Sequence, residues 1–135
     1  VSPDERLARH LLDDAGRHLN TAPAVLAAGD LSGSYQLAYD ALRKAASALL
    51  AVQGLRATSR GGHFAVQEAM KALYGDSIPA LRSFNRLRRA RNSFEYPGPD
   101  TVGPDAAEVR DALGVAAAVE AAARTMIDEG TAVAW

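Results

Sequence analysis

Apolar residues recur along this chain at helical spacing, and polar or Gly/Pro clusters cut the recurrence into segments. The clearest run lies between Leu31 and about Val52, where Tyr35, Ala38, Leu42, Ala45, Leu49 and Val52 follow the 3,4 spacing of a buried stripe. Gly54 ends it. Upstream, Ser2-Pro3-Asp4-Glu5 reads as an N-cap, a proline at the first helical position and acidic residues in the first turn. The helix that follows is expected to reach about Leu19, with Leu7, Leu11, Ala15 and His18 on one face. Pro23 is expected to break or restart it before Gly29-Asp30.

Downstream, "GLRATSRGG" (54–62) is the longest polar loop, and a short helix opens at His63 as "HFAVQEAMKALYG". After Gly75-Asp76-Ser77 a further helix starts near Ile78-Pro79 and runs to the residue before Pro97. Pro97, Pro99, Gly103 and Pro104 then form a rigid connector. The last helix spans about Asp105 to Glu129, with Val109, Ala112, Ala116, Val119, Ala123 and Met126 inward. "GTAVAW" is a tail, either loose or packing Trp135 onto the body. With no strand-like alternation and no repeat, the pattern predicts one all-α domain over 1–135. Its architecture is an up-and-down bundle of four long helices and one short one. The helices at 31–53 and 105–129 both present mainly alanine inward and are expected to be neighbours with close axes.

Composition supports this reading. Hydrophobic residues make up 48% of the chain but aromatics only 6%, which suits helices packed through small side chains better than a β-sandwich. The absence of cysteine excludes disulfides, thiol catalysis and Cys-ligated zinc. No apolar run approaches the roughly 20 residues of a membrane helix. The charged start "VSPDERLARHLLDD" does not read as a signal peptide, so a cytoplasmic protein that meets no membrane is expected.

The net charge of −1 conceals a partition. Residues 1–54 carry five Lys/Arg against six Asp/Glu, residues 55–91 eight against two, and residues 92–135 two against eight. A middle segment this basic creates a local field for anions unless the acidic last third folds over it. Its densest part is "RLRRARNSFEYPG" (86–98). At about 100° per residue, Arg82, Arg86 and Arg89 fall with Ser93 on the side away from Phe84 and Leu87, a solvated outer stripe. Arg91 instead projects between Phe84 and Leu87. A guanidinium inside an apolar arc must be paired or line a cleft. Glu95, one turn on, is the natural partner, and Arg88 and Glu95 flank the same edge. Two readings of Arg91 stay open on this geometry: a pair that locks the helix end, or a cleft contact.

"RNSFEYP" near the end of that helix, preceded by "YQLAYDALRKAASALLAVQGLRATSRGGHF", resembles the HEPN family (higher eukaryotes and prokaryotes nucleotide-binding domain), most of all its small stand-alone bacterial members. The similarity covers about residues 31–98. It implies an α-bundle, often a homodimer. Many members are metal-independent endoribonucleases with an Arg-x4–6-His motif, some silenced by a nucleotidyltransferase-type antitoxin. Carried onto this chain, the motif implies that Arg91 grips RNA phosphate beside Asn92. The histidine position falls on Tyr96, Pro97 or Gly98, and no histidine follows His63. Moving a 2′-hydroxyl proton favours a group of pKa about 6.5, and a tyrosine near about 10 is poorly matched.

The resemblance therefore implies an RNA- or nucleotide-binding dimer, a degenerate relative of toxin ribonucleases, with Arg91, Asn92 and Tyr96 lining the cleft. Arg88, Glu95, His63, Arg56 and Arg60 would support them. His63 follows two glycines and opens a helix, where N–H groups favour anions, so it either supplies the missing base or only caps the helix start. An active ribonuclease toxin and a purely structural adaptor are the alternatives.

Other chemistries find less support. "GLRATSRGG" lacks the Gly-Lys-Ser/Thr ending of a P-loop, and Ser59 has no His or Asp at triad spacing. His10 and His18 are eight apart with no carboxylate cluster, so neither a metal nor a cofactor is expected.

Overall fold

The computed structural model describes residues 2–54, 62–96, 98, 99 and 102–132, with the backbone alone for 62–66. The helices are α1 (Pro3–Ala27), α2 (Leu31–Ala51), α3 (Gly62–Tyr74), α4 (Phe84–Glu95) and α5 (Ala106–Glu129), and a 3-10 turn, Pro79–Ser83, leads into α4. Among the described residues there is no strand. The architecture is the expected helical bundle. The fourth helix is shorter than expected, because Pro79 opens a 3-10 turn before the α geometry begins at Phe84.

α1 starts as its sequence dictates: Ser2 Oγ accepts from the Glu5 N–H at 3.1 Å, ahead of Pro3. Contrary to the expected break, α1 continues through Pro23 to Ala27. A mid-helix proline removes one backbone donor and crowds the preceding turn. Packing compensates: Ala22, just before it, is fully buried, and the buried Ser34 hydroxyl of α2 donates to the Ala22 carbonyl at 2.8 Å. The buried stripe of α1 is Ala8, Leu12, Ala15 and Ala22, rotated by about one position from the expected face. Leu7, Leu11 and His18 lie at its margin, half-buried. Asp30 then caps α2 by accepting from the Gly33 N–H at 2.9 Å.

α2 is the central helix. Ser34, Tyr35, Ala38, Tyr39, Ala41, Leu42, Ala45, Ala46 and Ala48–Ala51 are all buried, far more than one stripe, because α1, α3, α4 and α5 all pack against it. The expected adjacency of α2 and α5 holds. The inner face of α5 is Val109, Ala112, Ala116, Val119, Ala123 and Ile127, with Ile127 rather than Met126 fully inward at its last turn. A reciprocal capping box joins Asp105 and Glu108 at the start of α5, and Gly130, with φ of 72°, closes its end in the left-handed region. Beyond it, the Ala132 carbonyl accepts from Tyr74 Oη at 2.6 Å and from Gln53 Nε2 at 3.0 Å, tying the chain to α2 and α3. Trp135 lies outside the described residues.

Candidate phosphate-binding cleft

α4 crosses α2 through two edge-to-face aromatic pairs, Tyr35–Phe94 with centroids 5.1 Å apart and Tyr39–Phe84 at 6.0 Å. Phe84 and Leu87 are the fully buried anchors of α4. This fixes the roll of the helix and separates its arginines as the projection predicts. Arg82, Arg86 and Arg89 face solvent. Arg86 reaches Asp111 of α5 at 2.7 Å and Arg82 reaches Asp76 at 3.5 Å. The acidic last third thus takes up part of the basic field of the middle segment.

Arg91 turns inward, with 21% of its side chain exposed. Nε donates to Gln36 Oε1 of α2 at 3.0 Å, one terminal nitrogen donates to Asn92 Oδ1 at 3.1 Å, and the other lies 3.3 Å from Glu95 Oε1. The guanidinium carbon stands 5.3 Å from the centroid of the fully buried Tyr39 ring, a cation–π contact. The pair with Glu95 expected from the spacing is therefore present, and it is one of four contacts. A guanidinium has five N–H donors. Among the described residues, Gln36, Asn92 and Glu95 engage three of them, and the other two belong to the terminal nitrogens.

Beside Arg91 a cleft of about 310 Å³ opens between the start of α2 and the end of α4, lined by Asp30, Ser32, Gly33, Tyr35, Gln36, Arg91, Phe94 and Glu95. Burial pushes the Tyr35 phenol up to about 12, so near neutrality it serves as a neutral hydroxyl and not as a base. Burial also raises the Tyr39 phenol, against the opposing charges of Arg91, Arg43 and Arg88. A second cavity of about 250 Å³ lies between helix ends, lined by Ser2, Glu5, Val52, Ile127, Gly130 and Ala132. Glu5 is its one charged lining residue among those described, which gives it little to hold an anion.

The other expected site residues divide. Asn92 accepts from Arg91 and is not among the residues that line the cleft. Arg88 is half-buried but turned toward α3, donating to Gln67 Oε1 at 3.1 Å and to Asn85 Oδ1 at 2.9 Å. Tyr96 does not line the cleft. It lies beyond the last turn of α4, with 78% of its surface exposed. Arg56, Arg60 and the His63 side chain lie outside the described residues. Sequence reasoning missed the whole α2 contribution: Asp30, Ser32, Gly33, Tyr35, Gln36 and the Tyr39 ring. The available signal was Gln36 with Asp40, an i,i+4 polar pair beside the apolar stripe, joined by a 3.0 Å hydrogen bond.

Among the described residues no cluster of His, Asp or Glu suits a metal ion, and no helix is long and apolar enough to cross a membrane. No curated protein and no solved structure matches the chain. The family model of the HEPN domain matches residues 8–126, a span that takes in α2, α3 and α4 entire and most of α1 and α5, so the chain belongs to the HEPN domain family.

Proposed function

We propose that this HEPN chain binds the phosphate of RNA or of a nucleotide in the Arg91 cleft, acts as a homodimer, and is a degenerate relative of the ribonucleases of its family. The observation that carries this reading is the state of Arg91: a guanidinium oriented by Gln36 and the Tyr39 ring, at the edge of a cleft, with two N–H donors beyond those that the described residues engage. A planar fork held in place loses little entropy when it meets a phosphate. Glu95 is the competitor. Its side chain is 38% exposed, so it can swing to water and yield Arg91 to a stronger anion. Weak or absent cleavage follows from the family motif's histidine position, which Tyr96 occupies in this chain, so the side chain there is not an imidazole.

Fluorescence anisotropy with a labelled single-stranded oligoribonucleotide tests this. The wild-type chain is expected to bind with an affinity that falls as salt rises and to leave the RNA intact on a gel, and Arg91→Ala to lose binding while still folding. Cleavage that disappears in Arg91→Ala, or growth arrest on expression relieved by a nucleotidyltransferase partner, would instead make it an active toxin. A second reading has the 3.3 Å contact with Glu95 in its favour: Arg91 as a structural lock in an adaptor protein. Normal RNA binding by the folded fraction of a strongly destabilised Arg91→Ala would establish that reading.

A further inference from the structure

The cleft lining holds one guanidinium against two carboxylates, Asp30 and Glu95, a poor balance for a phosphodiester by itself. The polar contacts do not stop there. Gln36 accepts from Arg91 and donates to Asp40 at 3.0 Å, and Asp40 lies 4.0 Å from Arg43. Gln36, Asp40 and Arg43 stand at i, i+4 and i+7 on α2, so they form one stripe leading away from the cleft.

Arg43, at the end of that stripe, is poorly matched by the protein. Among the described residues, the carboxylate it meets is Asp40, 4.0 Å from a terminal nitrogen and already accepting from Gln36. Its Nε is buried and meets no acceptor among the described residues. A structural arginine is placed by its acceptors, and Arg43 is not. Its side chain is nevertheless 28% exposed. Its charge acts on the buried Tyr39 phenol, as do those of Arg91, whose guanidinium stands 5.3 Å from the ring, and Arg88.

We propose that Arg43 is a second anion contact, and that the ligand of the Arg91 cleft continues along the Gln36–Asp40–Arg43 stripe of α2, which makes the preferred ligand one with several phosphates, a single-stranded oligonucleotide over a mononucleotide. This rests on the phosphate-binding reading of Arg91. Arg88 is held by Gln67 and Asn85 and acts through its charge.

The test is anisotropy with a labelled single-stranded oligoribonucleotide and with a labelled mononucleotide, each across a salt series. Arg43→Ala is expected to weaken oligonucleotide binding several-fold and to lower the slope of log affinity against log salt by about 0.7, the amount for one phosphate contact on a single strand. Mononucleotide binding should not change. Arg43→Lys should restore most of the slope, and thermal melts of both variants report folding. Arg110→Ala, at an exposed position of α5, is the control. An Arg43→Ala slope equal to that of the control, with Arg91→Ala still abolishing binding, overturns the role of Arg43 and spares the cleft. A wild-type chain that binds neither ligand overturns both.

Discussion

At the residue scale, Arg91 and Glu95 are two ends of one competition. Removing the guanidinium leaves Gln36 Oε1 without its donor and takes a cation off the Tyr39 ring, while Glu95, with 38% exposure, is simply rehydrated. Arg91→Ala is therefore expected to lower stability by about 1–2 kcal/mol, measurable by denaturant titration, and not by the larger penalty of a stranded buried charge. Glu95→Gln tests the competition directly. It removes the carboxylate that opposes phosphate and should tighten oligoribonucleotide binding several-fold at low salt. Binding that stays the same or weakens would mean Glu95 is not the group a phosphate displaces. Arg82→Ala, on the outer stripe, should change stability little and affinity only by a general salt-dependent amount.

At the scale of elements, the α1–α2 contact carries a pH dependence. His18 Nε2 lies 2.8 Å from Lys44 Nζ. An ammonium has no lone pair, so the imidazole is the neutral form accepting at Nε2. Lys44 also lies 3.5 Å from Asp14, which pairs with Arg17 and approaches His10 at 3.8 Å. Partial burial lowers the His18 pKa below its ordinary 6.5, helped by the charges of Lys44, Arg17 and Arg43 against that of Asp40. The unfolded chain therefore takes up this proton first. Stability should be level above 6.5, fall as pH drops through 6.5 toward the lowered value, and be level again beneath it as far as His18 is concerned. Denaturation midpoints across that window read the slope, and His18→Gln should flatten it. The α2–α5 contact makes a different prediction. Ala116 is fully buried on the alanine face of α5, so Ala116→Leu should cost about 1–3 kcal/mol through overpacking, seen as a lower melting temperature with helicity retained.

For the whole molecule, the exposed large apolar residues include Tyr96, just beyond α4, and Val102, further along the connector, at 78% and 83%. This is where the proposed homodimer would bury apolar surface, beside the arginine helix. Light scattering should give twice the chain mass of 14.2 kDa at micromolar concentration, and Tyr96→Asp should shift the mass toward the monomer. A monomer for the wild-type chain at that concentration would remove the dimer from the proposal and leave the cleft, whose described lining comes from one chain.

The helices were legible in the amino-acid order because local rules govern them. Ser2-Pro3 marks a start, Gly54 marks an end, and the alanine stripes of α2 and α5 mark the faces that meet. The inward roll of Arg91 and its i,i+4 pair with Glu95 were legible for the same reason, since both follow from helical period alone. What lies between helices was not. Pro23 reads as a break because the local cost of a helical proline is visible in the sequence, whereas burial of Ala22 and the Ser34 hydrogen bond to its carbonyl exist only once α1 and α2 pack. Gln36 and Tyr39 lie far from Arg91 along the chain, on another helix, so no periodicity links them, and only the crossing of α4 over α2 sets the guanidinium against both. Tyr96 joined the expected site by its place in a motif, and the last turn of α4 carries it out toward solvent. Sequence determined which residues each helix turns inward. The tertiary structure decided which of them meet, because a contact between helices depends on crossing angle and register, set by the packing of all the side chains together.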